Sequence, residues 1–434
     1  MKRSLPIYLV LLFFCMSERP DPQKPTSFIE VRGNKFYKNN QPYTFLGTNF
    51  WYGMNLGSKG AGGDRPRLLR ELDRLSALGV KNLRVVAGSE GPDTEPYRML
   101  PSLQYAPGKY NQDVLEGLDF LLAEMAKRNM VAVMCMNDFW NWSGGMGQYL
   151  VWAGAANSIP YPPPNPGGDW WKYQVFASQF YSNEKAVRLF DDHLRFIVNR
   201  KNSITGKLYK EDPAIFSWEL GNEPRGVTNQ TDFVAWVDRT AGLIKSLDKN
   251  HLVTTGSEGN TSSPTSGTDI VKDHQSKNID YATIHIWVQN WGLYDPAKPT
   301  ATYQPALDYA LNYLTNHLQQ AAQLNKPVVL EEFGISRDAN NHAPGSPVTV
   351  RDKYYAALFA AVATATKTPN NALAGVNFWA WAGEGRPKVA EGLWHLGDNF
   401  IGDPPHESQG WYSVYDTDNS TKEVIKKYAS LINK

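Results

Sequence analysis

The sequence contains almost no cysteine, since only Cys15 and Cys135 occur among 434 residues. Two such cysteines cannot build a disulfide framework or a cysteine-based zinc site. Cys135 lies inside the apolar run VAVMCMN, which is typical of a buried and unreactive thiol. Disulfide-rich scaffolds and cysteine zinc modules are therefore excluded.

The chain also lacks an excess of charge of either sign. Charged residues make up 20% of the sequence, the net charge is +1, and no long basic or acidic block is present. A nucleic-acid-binding surface is therefore not indicated, and a neutral substrate fits better. The G-x-S-x-G, phosphate-loop and H-E-x-x-H patterns are absent as well, which leaves serine hydrolase, nucleotide and zinc-protease functions without support.

Long apolar runs are missing except at the start of the sequence. Lys2 and Arg3 precede an apolar stretch from Leu5 to Phe14, a pattern that predicts a secretory signal over residues 1–19. The stretch is too short for a transmembrane helix. Cys15 follows it directly, so the segment resembles a lipoprotein signal, and both lipidation at Cys15 and simple cleavage stay open.

Residues 20–25, PDPQKP, predict a proline-rich linker, and a single domain is expected over residues 26–434. Alternation of apolar and polar residues around Gly33-Asn34 predicts a β-hairpin at its start. Eight short apolar runs then alternate with segments of helical spacing, of which the recurring leucines from Leu68 to Leu78 are one. This pattern predicts an α/β fold of the (β/α)₈ TIM-barrel type, with an open doubly wound sheet as the alternative.

Two long inserts follow strands and should be βα loops on the catalytic face of such a barrel. They cover residues 141–181 and 383–412, and the first is rich in tryptophan and contains PYPPPNPGG. We expect the first to be irregular but not disordered, because long loops of this kind are usually functional. Tryptophan and tyrosine are abundant in the whole chain, mainly as core residues, although their flat faces also suit sugar rings.

Polar side chains lie at the ends of the predicted strands, where a barrel places its active site. Glu223 in WELGNE and Glu332 in VVLEEFG are the most informative of them. Two carboxyl groups on one rim are what glycoside hydrolysis requires, one protonated to assist the leaving oxygen and one ionised to face the anomeric carbon. A structural ion pair is the competing interpretation for either residue alone.

In this order, the segments GTNFWY, WELGNEPRG, IHIW, LEEFG and NFWAW resemble glycoside hydrolase family 5, and within it the endo-β-1,4-mannanases. The resemblance covers the chain from Thr26 onward. It implies a retaining hydrolase that needs no metal or organic cofactor, with Glu223 as acid/base and Glu332 as nucleophile. Glu331 is the rival nucleophile, but successive strand residues face opposite sides, so only one of the two glutamates should point into the site.

The resemblance and the chemistry together suggest supporting roles for further strand-end residues. Arg84 should hold Glu332 ionised, Asn222 should bind the sugar 2-hydroxyl, and His285 should bind the substrate or the nucleophile. Trp379 is expected beneath the sugar that is cleaved, and Glu219 within the barrel as a structural partner. The remaining candidates for substrate contact or support are Trp51, Asn137, Trp140 and Trp287, the last at a position where some related mannanases carry tyrosine.

The sequence therefore predicts a retaining endo-β-1,4-mannanase that acts on mannan, glucomannan or galactomannan as a secreted or envelope-associated monomer. A β-1,4-glucanase of the same family is the first alternative, because mannose and glucose differ only at the 2-hydroxyl. A carbohydrate-binding barrel without catalysis is the second, although pure binding needs neither an acid nor a nucleophile.

Overall fold

The described part of the chain opens with a small antiparallel sheet. In the computed structural model, which describes residues 28–434, strands Ile29–Arg32, Lys35–Lys38 and Gln41–Tyr43 pair in this order. Gly33 has a positive φ of 60° in the two-residue turn, a conformation that suits glycine. The predicted hairpin is confirmed. The predicted signal and linker, residues 1–25, lie outside the described residues.

Eight parallel strands form the central barrel. They are β1 (Phe45–Asn49), β2 (Asn82–Val86), β3 (Val131–Cys135), β4 (Ile215–Glu219), β5 (Leu252–Thr254), β6 (Ala282–Ile286), β7 (Val328–Phe333) and β8 (Leu373–Phe378). Strands β1 to β5 each pair with the next in sequence, as do β6, β7 and β8, and β8 pairs with β1, so β5 and β6 are the two edges of the paired sheet. Hydrogen bonds from Asp280 N to Val253 O (2.8 Å) and from His285 N to Glu258 O (3.1 Å) join β5 to β6. The barrel prediction is confirmed, and the open sheet is excluded.

Helices surround this barrel. The α-helices are α1 (Gly53–Leu56), α2 (Arg65–Ala77), α3 (Gln112–Lys127), α4 (Gly145–Ala153), α5 (Trp170–Ser178), α6 (Glu184–Val198), α7 (Gln230–Leu247), α8 (Ile270–His274), α9 (Pro299–Ala321), α10 (Thr349–Ala365) and α11 (Asn419–Ile432). Side chains of Asp64, Asn111 and Asn183 cap α2, α3 and α6 by accepting first-turn N–H groups. Across residues 28–434, none of the helices combines the length and apolar character needed to cross a bilayer.

The core has an outer and an inner part. Leu68, Leu72 and Leu75 of α2 are fully buried, as their helical spacing predicts. Within the barrel, Phe36 of the N-terminal sheet packs against the rings of Phe45, Phe216 and Tyr281. These three residues lie within one residue of the starts of β1, β4 and β6, so the small sheet covers the N-terminal end of the barrel and leaves the other end for the site.

The two inserts differ in structure. The expectation of an irregular first insert holds only for residues 154–169, which include the proline-rich stretch, because α4 and α5 lie on either side of them. Asp169 caps α5 by accepting from the N–H groups of Trp171 (2.8 Å) and Lys172 (3.1 Å), and Gly154 ends α4 in the left-handed conformation. The second insert is enclosed by two short paired strands, Trp381–Gly383 and Val414–Tyr415, and is irregular between them.

Candidate active site

Arg84 of β2 organises the C-terminal end of the barrel. Its guanidinium donates to both oxygens of Glu219 (2.9 and 2.6 Å) and to Oδ1 of Asn222 (2.8 Å). A further N–H donates to Glu332. The fork-shaped guanidinium thus joins β2, β4 and β7, and Glu219 lies inside the barrel as the structural partner that strand alternation predicts.

Glu223 follows β4 in an uncommon backbone conformation. Its φ is +47°, in the left-handed region that a residue with a side chain enters only under constraint. The N–H of Glu223 donates to Gly256 O (3.0 Å), and the N–H of Asn222 donates to Asn137 O (2.9 Å). These two bonds tie the segment to the ends of β3 and β5, so the neighbouring strands fix the direction of the Glu223 carboxyl group.

Three N–H groups surround the Glu223 carboxylate. Trp140 Nε1 donates to Oε2 over 2.6 Å, and Trp287 Nε1 donates to Oε1 over 3.1 Å. His285 Nδ1 lies 2.7 Å from the same Oε1. Position 287 is the one at which some related mannanases carry tyrosine. In this chain, Trp287 places an indole N–H there, which donates to the carboxylate of Glu223.

A β-bulge in β7 changes the expected facing of Glu331 and Glu332. The register with β6 runs from Ile284 opposite Leu330 directly to His285 opposite Glu332, so Glu331 is the extra residue. Both glutamates approach His285, at 3.4 Å from Nε2 for Glu331 and 3.3 Å from Nδ1 for Glu332. Strict alternation fails at the bulge, so both glutamates face the barrel interior, although of the two only Glu332 lines the cavity described below.

The carboxyl groups of Glu223 and Glu332 are close neighbours. One oxygen of each, together with a ring nitrogen of His285, lies within 4.8 Å of the others. A cation could in principle bridge such a set. The contact of Arg84 with Glu332 and the three donors on Glu223 already compensate both carboxylates, so hydrogen bonding accounts for the grouping.

The environments of the two carboxyl groups move their pKa values apart. Burial would raise the pKa of Glu223, but the hydrogen bond and charge of His285 and the charge of Arg225 lower it to about 2. Burial raises the pKa of Glu332 to about 8, against the opposing charges of His285 and Arg84. Because both groups contact one imidazole, they titrate as a pair that holds one proton between these values.

His285 stays protonated beside this pair. Burial would lower its pKa, but the charge of Glu332 and the hydrogen bonds with Glu223 and Glu331 raise it to about 10. Arg84 contacts Glu332 as expected, yet its charge does not outweigh burial. The expectation that Arg84 holds Glu332 ionised is therefore not met by this structure, in which the pKa of Glu332 is raised.

A cavity of about 590 Å³ opens above these groups. Asn222, Glu223 and Glu332 line it, as do the rings of Trp140, Trp287 and Trp379. Of the other candidates, Trp51 and Asn137 do not line this cavity. Trp51 is 2% exposed, donates its N–H to Gly402 O (3.0 Å) and packs on Trp142, which is a role in packing.

Asn137 and His285 act from behind the cavity. Asn137 accepts from the Asp138 N–H over 2.8 Å, and its carbonyl anchors Asn222. Asp138 in turn accepts hydrogen bonds from the side-chain amide of Asn222 (3.1 Å) and from the backbone N–H of Trp140 (2.9 Å). Asp138, the residue after Asn137, thus orients two cavity residues, a role that was not predicted from the sequence.

A second charged group in the cavity was also missed. Arg225 pairs with both oxygens of Glu258 (2.6 and 2.9 Å) and donates to Gln174 (3.0 Å). Its guanidinium lies 4.9 Å from the centroid of the Trp140 ring. Arg225 stands two residues after Glu223 in the motif WELGNEPRG, and this closeness in sequence is the signal that could have identified it.

The two inserts meet beside the cavity. The ring of Trp170 in the first insert lies 6.2 Å from that of His406 in the second. Pro163, Pro164, Pro404 and Glu407 from the same inserts also line the cavity. Both inserts were expected on this face, but their contact depends on loop conformation and could not be predicted from the sequence.

Two carboxyl groups that share one imidazole at the C-terminal end of a (β/α)₈ barrel are the arrangement of a glycoside hydrolase. The family model described as GH family 5 beta-mannosidase-like matches residues 26–434. The chain belongs to glycoside hydrolase family 5, which confirms the resemblance seen in its motifs.

Individual relatives are similar over most of their length. Mannan endo-1,4-beta-mannosidase 5 of Solanum lycopersicum is 31% identical over 385 residues, which cover 84% of this chain and 83% of that protein. The crystal structure of a glycoside hydrolase family 5 mannosidase from Rhizomucor miehei is 41% identical, with a TM-score of 0.85 and coverage of 93% and 97%. A mutant of that enzyme in complex with mannosyl-fructose gives the same identity, TM-score and coverage.

Proposed function

We propose that the chain is a retaining endo-β-1,4-mannanase that hydrolyses mannan, glucomannan or galactomannan. The observation that carries this is the pair of carboxyl oxygens on Glu223 and Glu332 within 4.8 Å of each other. Retaining glycosidases separate their carboxyl groups by about 5–5.5 Å, whereas inverting ones leave room for a water molecule. The mannan specificity is supported by the relatives named mannan endo-1,4-beta-mannosidase.

In this proposal, Glu332 attacks the anomeric carbon while Glu223 gives its proton to the leaving oxygen. The glycosyl–Glu332 ester then reacts with water, whose proton Glu223 takes up. The shared proton has to be on Glu223 at the moment of attack. Positive charge developing at the anomeric carbon stabilises ionised Glu332, and this favours transfer of the proton to Glu223.

Asn222, Trp379 and His285 support this reaction. The Asn222 amide, held by Arg84 and Asp138, lines the cavity where it can bind the sugar 2-hydroxyl. Trp379 offers a ring face to the pyranose. His285 contacts both carboxyl groups and serves them rather than the sugar, since it is fully buried and does not line the cavity.

Release of reducing sugar from soluble mannan and from carboxymethylcellulose, measured side by side, tests this specificity. We expect turnover of mannan at least about 100-fold above that of the glucan, because a site that hydrogen-bonds one hydroxyl rejects the wrong epimer. Greater turnover of carboxymethylcellulose would establish the glucanase instead. Tight oligosaccharide binding without any product would establish a binding barrel.

A second candidate is an exo-acting β-mannosidase that removes units from the ends of short chains. The contact of Trp170 with His406 favours it, because inserts that meet beside the cavity narrow the path of a long polymer. The family description beta-mannosidase-like also supports it. Product analysis separates the two: mannose alone from mannohexaose indicates exo action, and a mixture of oligosaccharides indicates endo action.

We also propose that the protein is exported and acts as a monomer, secreted or tethered to the envelope through Cys15. The charged and apolar pattern of residues 2–14 supports this. Mass spectrometry of the mature N-terminus in the host distinguishes a lipidated Cys15 from a cleaved segment. An intact N-terminus in the cytoplasmic fraction would refute export.

A further inference from the structure

The β-bulge in β7 gives the barrel interior one more carboxyl group than regular alternation would allow. Glu331 is fully buried and, unlike Glu332, does not line the cavity. The mechanism proposed above makes no use of it. Burying a carboxyl group costs free energy unless neighbouring groups compensate it, so the contacts of Glu331 indicate its role.

Glu331 faces two cations that also serve the catalytic pair. Its Oε2 lies 3.4 Å from His285 Nε2 and 3.7 Å from Arg84 Nε. Its Oε1 has no hydrogen-bond partner among residues 28–434. The carboxylate therefore lies on the side of the imidazole ring opposite to the nitrogen that contacts Glu223 and Glu332.

The interior thus contains two carboxyl pairs with His285 between them. Glu223 and Glu332 lie at Nδ1, and Glu331 lies at Nε2, where it also interacts with the Glu219 carboxyl group. Burial and the charge of Glu331 together raise the pKa of Glu219 to about 7 against the opposing charge of Arg84. Burial would raise the pKa of Glu331, but the charge of Arg84 and the hydrogen bond and charge of His285 lower it.

Charge balance follows from this arrangement. Arg84 and protonated His285 carry two positive charges, which two ionised carboxylates compensate when each carboxyl pair holds one proton. Neutral overall charge is the favoured condition in a buried site. Removing the negative charge of Glu331 would leave an excess of positive charge. The remaining carboxyl groups would then lose their protons at lower pH.

We propose that Glu331 is a positioning residue for the reaction: it accepts the Nε2 proton of His285, directs Nδ1–H to the catalytic pair, and keeps the shared proton bound to higher pH. The inference rests on the proposed function, which assigns Glu223 and Glu332 to glycoside cleavage. It adds a role for the residue that motif analysis treated only as a rival nucleophile.

Other charged groups near Glu331 and His285 do not replace this role. Burial raises the pKa of Tyr281 well above its usual value and lowers that of His274 to about 4, so both are neutral in the working range. Glu258, which also faces His285, is held by Arg225. The remaining groups that face Glu331 or His285 are Arg84, Glu219, Glu223 and Glu332.

The variant Glu331→Gln keeps the shape and removes the charge. We expect the alkaline limb of kcat/KM, measured on mannotetraose, to move to lower pH by about one to two units. The KM should stay near that of the wild type, and the rate should fall far less on the acid side of the optimum than on the alkaline side. A lower Tm with an unchanged pH profile would overturn the proposal, because a merely structural residue gives that result.

Glu71→Gln is the matched control. Glu71 is also fully buried, contacts Arg67 over 3.4 Å and accepts the N–H of Glu384 over 2.7 Å, outside the cavity. Neutralising it should lower the Tm and leave the alkaline limb in place. A shift of the limb in this variant as well would contradict a specific role for Glu331.

A second measurement, made on the wild type, does not depend on turnover. In the wild type labelled with ¹⁵N-histidine, we expect both nitrogens of His285 to carry protons at about pH 8, because neighbouring carboxylates favour the imidazolium. The signal is assigned by its loss in His285→Asn. An Nε2 without a proton would overturn the proposal, and this result stands apart from any failure to hydrolyse mannosides.

Discussion

The indole N–H of Trp140 donates to Oε2 of Glu223 over 2.6 Å. The same ring lies beneath the Arg225 guanidinium and in edge contact with Trp170. An indole N–H can only donate, so this bond favours the ionised form of the carboxyl group. Trp140 therefore affects the proton of Glu223 as well as the shape of the cavity.

Replacing Trp140 with phenylalanine keeps a ring and removes the donor. Loss of a bond to the ionised form raises the pKa of Glu223, so the acid limb of kcat/KM should move up by about one unit. We expect kcat to fall about tenfold, since a hydrogen bond to a charged group contributes about 1.5–3 kcal/mol. Initial rates on mannotetraose from acid to neutral pH measure both effects.

Trp291→Phe provides the control for this change. Trp291 lines the same cavity and packs on Tyr313 with ring centroids 5.3 Å apart. The donors to Glu223 are Trp140, Trp287 and His285, so this variant should alter KM without moving the acid limb. An equal shift in both variants would mean that cavity shape, not the N–H, sets the limb.

Glu223→Gln and Glu332→Gln should each abolish most hydrolysis. Loss of the acid/base costs about 10²- to 10⁴-fold, and loss of the nucleophile prevents the glycosyl-enzyme altogether. Proton NMR of the first product of the wild type should show retained β configuration at the anomeric carbon. Initial formation of the α-anomer would contradict the double displacement.

The pH dependence of the wild type follows from the carboxyl pair. The pair holds one proton below the pKa of Glu332, about 8, and loses it as the pH rises through that value. Without the proton no general acid remains, so kcat/KM should fall above about pH 8. Activity that is constant to pH 10 would show that the pair is not the group that titrates.

Much of the site could be predicted because strand ends converge. Arg84, Asn222, Glu223 and Glu332 each close an apolar run, and the barrel places such ends on one rim. The facing of Glu331 could not be predicted, because a bulge depends on pairing with β6 and leaves no mark in the residue alternation. The family resemblance supplied the roles that periodicity could not.

The sequence could not show which tryptophans pack in the core and which line the cavity. Trp51 and Trp140 both follow strands, yet one lies in the core against Trp142 and the other faces Glu223. The difference arises from the inserts, whose fold depends on tertiary contacts. Arg225 and His406 were missed for the same reason, since each matters through a partner distant in sequence.

Phe36→Ala should test the contribution of the N-terminal sheet. Phe36 is 1% exposed and contacts Phe45, Phe216 and Tyr281 at the closed end of the barrel. We expect a loss of about 3–5 kcal/mol in the free energy of unfolding, with kcat/KM unchanged in the protein that stays folded. Denaturant titration measures it.

Tyr37→Ala is the control for that loss. Tyr37 neighbours Phe36 on the same strand, points the other way and is only partly buried, with Arg32 above its ring. Its removal should cost less than about 1 kcal/mol. Equal losses at both positions would show that the sheet acts through strand pairing rather than through the Phe36 side chain.

Trp170→Ala should widen the path beside the cavity. The change removes the ring that meets His406, so a long polymer should enter more easily. We expect the ratio of activity on soluble mannan to activity on mannotriose to rise about threefold to tenfold, because a clash is relieved for the polymer alone. Trp171→Ala is the matched control: Trp171 is the next residue, is 47% exposed and does not line the cavity. If the ratio stays constant in Trp170→Ala, or rises equally in the control, the contact between the inserts does not limit chain length.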